Sequence, residues 1–411
     1  MRREVGWGLG FAGLSVGYFL GQGVGPAPVE FPDPAEARDA LTMERAVGEA
    51  LVEPRAFVRL DSLVRLFEGL TVENAGGAAR AISEGGGRWD PIDLQAFVAA
   101  WVLVDPVAAV RTIEEWPFEF RRELGLRLAI REWAASGDWL AATNYVQNSM
   151  APELRSIVAG PLVRGWALGG DADGALGLAR TLWDSADQTD VVDGYLRGVL
   201  HVGGPEAMLV VARSQDPTEA FGQRIVRATL SLTARDAPEQ AARFYEEFTE
   251  QGAPVWLDGI LERVVVAWRN EDPQASLEWL LAHEPGPGRD RFLTTTTADW
   301  GIRDLDSAWG WFSTRRVESS QTGELARDDA LMLLGLLPKL ARVRSAEAAV
   351  WVDRLEPSID QRQMQARVAK FWSRTDPESA SRWIEGLDVG PPQLARLREI
   401  HRVESKGAPT S

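Results

Sequence analysis

Trp268-Arg269-Asn270-Glu271-Asp272-Pro273-Gln274-Ala275-Ser276-Leu277-Glu278-Trp279 is the stretch whose reading decides the fold. Its skeleton is Trp, three residues, Asp-Pro, two residues, a small residue, two residues, Trp. The same skeleton returns as Trp372-x3-Asp376-Pro377-x2-Ala380-x2-Trp383. Each copy spells a helix junction. An Asp side chain accepts hydrogen bonds from the free N–H groups that open a helix. A Pro beside it fits the first helical position, where no donor is needed. The small residue four past Asp lets two helices approach. The aromatic three further along lies one turn on, on the same face.

With the Asp as reference, the junctions fall at Asp105, Asp138, Asp171, Gly204, Asp236, Asp272, Asp304, Arg344 and Asp376, in steps of 33, 33, 33, 32, 36, 32, 40 and 32 residues. A degenerate copy precedes them at Leu70-x3-Asn74-Ala75-x2-Ala78. A fixed period of this size marks a stacked array of small units, here about ten. Between junctions there is room for two helices of roughly 15 residues and short turns. The expected fold is all-α, with an α-helical repeat array over 35–404 and a disordered tail at 405–411. The longer steps mark insertions around Phe248–Leu257 and at Ser313–Glu324, both read as surface loops.

Gly137-Asp138-Trp139-x2-Ala142-x2-Tyr145 and Gly170-Asp171-x3-Ala175 resemble the mid-repeat junction of tetratricopeptide repeats, and the period is similar to that family's. The Trp-Leu-Gly-Tyr pattern of that family's first helix is absent, so the chain looks like a relative with its own consensus. The resemblance implies a right-handed superhelix, an α-solenoid of about ten hairpins, that binds protein segments without catalysis.

The first 25 residues read as a membrane anchor or a signal segment. Arg2 and Arg3 precede an uncharged stretch from Val5 to Val29. Its apolar part, Val5–Gly21, is near the ~17–25 residues that cross a bilayer. The flanking arginines keep the N-terminus in the cytoplasm and send the rest across. The expectation is a single-pass protein of a bacterial inner membrane, with its array on the periplasmic side. Gly13, Gly17 and Gly21 share one helical face, where small residues allow close helix packing in the membrane. A Pro-rich spacer, 26–34, follows.

Composition narrows the function classes. A net charge of −16 argues against nucleic-acid binding, which needs a basic surface. No Cys is present, so disulfides and thiolate chemistry are excluded. The three histidines, His201, His283 and His401, lack metal-ligand spacing, and no nucleophile-elbow, P-loop or dinucleotide motif occurs. The hydroxyl run Thr294–Thr297 reads as a helix start. The acidic pairs Glu114-Glu115, Glu246-Glu247 and Asp328-Asp329 read as solvated faces. No catalytic residue, cofactor or metal is therefore assigned. The tryptophans, at fixed repeat positions beside small residues, read as core rather than as a ligand groove.

One pattern exceeds packing. Arg131, Arg164 and Arg197 each stand seven before their junction residue in consecutive repeats. Stacked helices lie about 10 Å apart, so the three form a row. Two readings stand: a ladder of ion pairs with acids from neighbouring helices, or a strip that grips carboxylates of a partner segment. The expected role is a membrane-anchored scaffold or adaptor for another protein. The alternatives are an enzyme with an unrecognised carboxylate site, or a secreted soluble binder after signal cleavage.

Overall fold

A computed structural model describes residues 39–407, apart from 85–89, 185–186, 250–253, 258 and 320–324. Among these the chain is entirely helical, with 21 α-helices and no strand. It divides into two compact units, Met1–Ala129 and Ile130–Ser411.

The first unit contains α1 (Ala40–Val52), α2 (Ala56–Glu68), α3 (Ala75–Glu84), α4 (Pro91–Val104), α5 (Pro106–Glu114) and most of α6 (Glu119–Ala135). Helix α1 packs on α3, and α2 on α4. Contact of α1 and α3 needs Gly77, where a Cβ would sit 1.8 Å from the Ala40 carbonyl oxygen. The apolar core includes Met43, Leu63, Phe67, Phe97 and Trp101. Inside it, Arg59 donates to Asp93 at 2.8 Å and to the Glu53 carbonyl at 3.1 Å. Both partners of the ion pair are buried, so removing either strands a charge in a low-dielectric interior.

The second unit runs from the end of α6 through α7 (Trp139–Asn148), α8 (Pro152–Leu168), α9 (Ala172–Leu182), α10 (Gln188–Arg213), α11 (Ala220–Asp236), α12 (Pro238–Glu247), α13 (Ile260–Glu271), α14 (Pro273–Ala282), α15 (Pro287–Arg303), α16 (Leu305–Ser319), α17 (Arg327–Val343), α18 (Ser345–Val352), α19 (Ile359–Thr375), α20 (Pro377–Gly386) and α21 (Pro391–Glu404). The element pairing is that of a helical repeat. Each first helix packs on the next first helix, α8 on α10, α10 on α11, α11 on α13, and so on to α19 on α21, while each second helix packs back on its own partner. The period seen in the sequence is thus the period of the helix pairs.

The junctions take three forms. In the commonest, a single residue ends one helix and begins the next. Asp105, Ala237, Asp272, Asp304, Arg344 and Asp376 all have φ between −136° and −155° and ψ between 62° and 92°. The N–H of each donates to the carbonyl four residues back at 2.7–2.9 Å. The Asp side chains then accept from the new helix: Asp105 from Ala108, Asp272 from Ala275, Asp304 from Ser307 and Asp376 from Ser379, at 2.9–3.0 Å. In the second form a glycine is added. Gly137 and Gly170 take φ of 97° and 99°, a left-handed backbone that favours glycine. The third form is the bend at Gly204 (φ 71°), followed by Pro205, inside α10.

Across the single-residue junctions the two tryptophans of the skeleton meet. Trp268–Trp279, Trp300–Trp311 and Trp372–Trp383 have ring centroids 5.8, 5.7 and 5.9 Å apart at interplanar angles of 46°, 44° and 43°. The small residue between them, Ser276, Ala308 or Ala380, is buried. Trp101, Trp116, Trp133, Trp268, Trp300 and Trp309 are buried and every other described tryptophan is half-buried, which favours packing over an open aromatic groove.

Several expectations are corrected. The junction expected at Asp236 falls at Ala237, because Pro238 sets the first helical position. Thr294–Thr297 lies in the middle of α15, where Thr297 returns its hydroxyl to the Leu293 carbonyl at 2.8 Å. The insertion expected as a loop over Ser313–Glu324 is helical as far as Ser319. The tail expected at 405–411 begins with a 3-10 turn, Ser405–Gly407. His401 sits on α21 and shares a 2.9 Å hydrogen bond with Ser373. The acidic pairs are not merely solvated: Glu246 accepts from Trp279, Glu247 from Arg213, and Asp328 from Arg289. No helix among the described residues is long and apolar enough to cross a membrane. The anchor expected at 1–25, with Gly13, Gly17 and Gly21, and the spacer at 26–34 lie outside the described residues.

The junction geometry makes a differential prediction. Asp105→Ala removes a side-chain cap and should cost about 1 kcal/mol of unfolding free energy. Asp138→Ala, whose side chain makes no cap hydrogen bond, should cost almost nothing; urea titrations of the two variants compare them. A second expectation concerns acid. Hydrogen bonds from Ser307 and Ser379 hold Asp304 and Asp376 below the ordinary carboxyl value of 3.8. Their folded values therefore lie under their unfolded ones, so this stabilisation is complete above about pH 4 and is lost as pH falls below it. Melting temperatures of the wild type and the Asp304→Asn, Asp376→Asn variant should converge as the pH is lowered, and a constant gap between them would refute the assignment.

Candidate functional site

The arginine row forms where three first helices approach closely through glycine. Gly165 on α8 lies against α6, where a Cβ would come within 2.3 Å of the Arg131 carbonyl oxygen. Gly198 on α10 lies against α8, where a Cβ would come within 2.9 Å of the Arg164 carbonyl oxygen. Further along the same contact, Gly160 and Gly194 meet, with a Cβ on Gly194 placed 2.4 Å from the Gly160 carbonyl oxygen. Each of these contacts tolerates only hydrogen at the position. Arg164 and Arg197 immediately precede two of the glycines, so the close approach of the backbones also brings their side chains together.

The electrostatics follow from that spacing. The Arg164 guanidinium is held below the usual arginine range, first by burial and then by the positive charges of Arg131 and Arg197, with Glu132 opposing. Its Nε is buried and meets no acceptor. A buried donor without a partner costs about 1–3 kcal/mol. The ladder of interhelical ion pairs is not what the structure builds. Arg131 pairs with Glu132, its neighbour on the same helix. Arg164 and Arg197 have no ion-pair partner among the described residues. The structure thus brings together the three arginines that the sequence singled out and leaves two of them without an ion-pair partner among the described residues.

The face continues beyond the row. Before the single-residue junctions, the equivalent column, counted from the junction residue with the added glycine left out, carries Ser231 on α11 and Val266 on α13. Both line a shallow groove of about 660 Å³ between these helices, with Arg235 and Arg263 at its edges. Arg263 reaches across to the Ser231 hydroxyl at 3.3 Å. Arg235 and Arg263 escaped the sequence reading because they stand at other offsets from their junctions. A column counted back from the junction residues, with the added glycines left out, finds Ser231 and Val266 but not the arginines beside them.

Among the described residues no group of three His, Asp or Glu side chains converges as a metal-ion site. His283 belongs to a packing cluster, with its ring 4.4 Å from that of Trp279 and its Nδ1 2.8 Å from the Trp279 carbonyl.

No known family's model matches the chain, and no curated protein matches it. Among solved structures it is similar to the crystal structure of Ton1535 from Thermococcus onnurineus NA1, at 13% identity over 88% of this chain and 96% of that one, with a TM-score of 0.25. A likeness of that degree carries no argument about fold or function.

The glycine contacts can be tested directly. Gly165→Ala forces a methyl group against a backbone oxygen and should destabilise the chain by about 1–3 kcal/mol. Gly177→Ala, on α9 with open space around its Cβ position, should instead stabilise it by about 0.5–1 kcal/mol. Denaturant midpoints with opposite signs are expected. Two changes of the same sign would mean that α6 and α8 do not pack through this glycine.

Proposed function

We propose that this chain is a scaffold that holds an acidic segment of a partner protein along the face of its first helices. Its helix pairs stack as a right-handed solenoid of about ten hairpins. Residues 1–25 tether it to the inner membrane with the array on the periplasmic side. One observation carries the binding assignment: in a chain of net charge −16, three arginines share a face, and Arg164 and Arg197 have no ion-pair partner among the described residues. Folding has brought like charges together on glycine contacts, which costs energy unless something else supplies the anions. Carboxylates from outside fit the deficit, because guanidinium groups bind them through paired, charge-assisted hydrogen bonds. The groove past Arg235 and Arg263 extends the same surface, so an extended segment fits better than a single ion. The anchor assignment rests on the sequence alone, on Arg2 and Arg3 before an uncharged apolar stretch.

A fluorescent Glu-rich decapeptide is a direct probe. Its affinity should fall about tenfold or more in the Arg164→Gln, Arg197→Gln variant, the loss of about one charge-assisted pair. It should also weaken as salt rises to about 0.5 M. Undiminished binding by that variant, with its helicity retained, would remove the proposal. For the tether, the intact mass of the mature protein should include Arg2 and Arg3, and the protein should stay in membranes washed with carbonate. A mature form lacking the first 25 residues and found in the soluble fraction would overturn it.

A further inference from the structure

A second surface feature has no part in this reading. Between the turn after α18, the start of α19, the end of α20 and the start of α21 lies a cavity of about 870 Å³. That is within the size range of small-molecule sites. Its polar walls include Asp353, Gln361 and Gln365, its apolar walls Leu355 and Leu387, and Arg362 and Arg396 also line it.

Asp353 is the informative group. It accepts the Trp383 indole N–H at 3.1 Å and a longer bond from the Gln365 amide at 3.4 Å. No cation pairs with it among the described residues. The adjacent Arg354 lies instead over the Trp351 ring, 4.6 Å from its centroid. The carboxyl faces the cavity on one side while the surrounding atoms raise it above the usual carboxylate range, through burial first, against the lowering effect of its two hydrogen bonds. Beside it, Gln365 is 2% exposed and its Oε1 is buried without a partner. The Asp353 carboxyl and the Gln365 Oε1 thus stand side by side with no cation paired to either among the described residues.

The repeat supplies its own comparison. Glu246 stands nine past the junction Ala237, as Asp353 stands nine past Arg344. Glu246 likewise accepts an indole N–H from the next repeat, that of Trp279 at 2.7 Å. There, however, an internal base faces it: His283 Nε2 lies 3.8 Å from Glu246 Oε1. His283 stands eleven past Asp272, and the residue eleven past Asp376 is Leu387. In the last repeat the place of the imidazole is taken by an aliphatic wall of the cavity, and the acid has no basic partner among the described residues.

We propose that this cavity binds a small zwitterion of amino-acid or short-peptide size, its ammonium group against Asp353 and its carboxylate against Arg362 and Arg396. A monocation alone would meet two arginines, and an anion alone would meet Asp353 and the second acid of the lining, Asp388. A molecule with both charges satisfies both walls, and Leu355 and Leu387 accommodate its apolar portion. The proposal is independent of the acidic-segment reading, which uses other helices.

Tri-alanine, whose side chains add no charge, is the probe, titrated by calorimetry into the full-length chain in detergent. Saturable binding is expected. N-acetylation of the peptide or Asp353→Asn should each weaken it about tenfold or more. The Arg362→Gln, Arg396→Gln variant should weaken the free peptide by a similar factor and leave the weaker C-amidated peptide unaffected. Leu387→His supplies the base that the earlier repeat has, and it should also suppress binding while the melting temperature is kept. That variant guards against an Asp353→Asn chain that loosens locally. Absence of a saturable heat with the wild-type chain would overturn the proposal, as would a heat that survives in both Asp353→Asn and Leu387→His.

Discussion

At six of its junctions the array turns on a corner made by one residue. At Asp272 the backbone N–H still belongs to the helix that is ending, since it donates to the Trp268 carbonyl at 2.8 Å. The side chain of the same residue already belongs to the helix that is starting, since it accepts from Ala275. Because one residue serves both ends, little freedom remains in the angle between the helices. The Trp268–Trp279 contact then fixes their separation. Repetition of nearly the same ring geometry at Trp300–Trp311 and Trp372–Trp383 shows the corner behaving as a unit. Ala237 and Arg344 keep the backbone form with no acceptor of the Asp kind. The backbone hydrogen bond is therefore the common requirement, and the carboxylate strengthens it.

Successive repeats are joined by a second device. The indole N–H of a second-helix tryptophan reaches an acid of the preceding repeat, Trp279 to Glu246, Trp311 to Glu278 and Trp383 to Asp353. A half-buried tryptophan needs a partner for its N–H, and an acid one repeat back provides it. The ring therefore closes the corner within its own helix pair, and its nitrogen ties that pair to the one before. The arginine row follows a different logic. There the first helices meet through Gly160, Gly165, Gly194 and Gly198. Close backbone contact accompanies aromatic pairs such as Trp133–Tyr145 and Trp139–Trp166, and the charges are carried along with it.

Much of this was legible because it is local. An Asp beside Pro, a small residue one turn on and an aromatic after it act within about a dozen residues, so their spacing alone announces the corner. The exceptions are instructive. At Asp236 the sequence offers the expected residue type, but Pro238 cannot donate and must stand at the start of the helix, which moves the corner to Ala237. The polar run from Ser313 lacks an apolar stripe, yet α16 continues through it to Ser319 because helix geometry propagates from a packed first half. Thr294–Thr297 looked like a helix opening because threonine caps well. Inside α15 the Thr297 hydroxyl instead bonds the carbonyl of the preceding turn. What spacing cannot reveal is which acid meets which base across repeats. That Glu246 has His283 nearby while Asp353 has none depends on two offsets from two different corners.

That last contrast bears on how an array of near-identical units acquires distinct sites. A repeat reproduces its corner because one backbone hydrogen bond there closes one helix as the next begins, so the corner is held to one backbone form even where Ala or Arg replaces Asp. Positions on the edge between repeats carry no such burden. Substitution of Leu387 for the His283 type leaves the corner at Asp376 and its tryptophan pair intact. It changes only the surroundings of the acid at the mouth of the turn. In the same way, Arg164 and Arg197 occupy a column that Ser231 and Val266 fill elsewhere without disturbing the stacking of first helices. Binding chemistry in such a chain is therefore written where one repeat departs from its neighbours at a position the corner does not use. A charge without its usual counterpart is the form that departure takes on both surfaces.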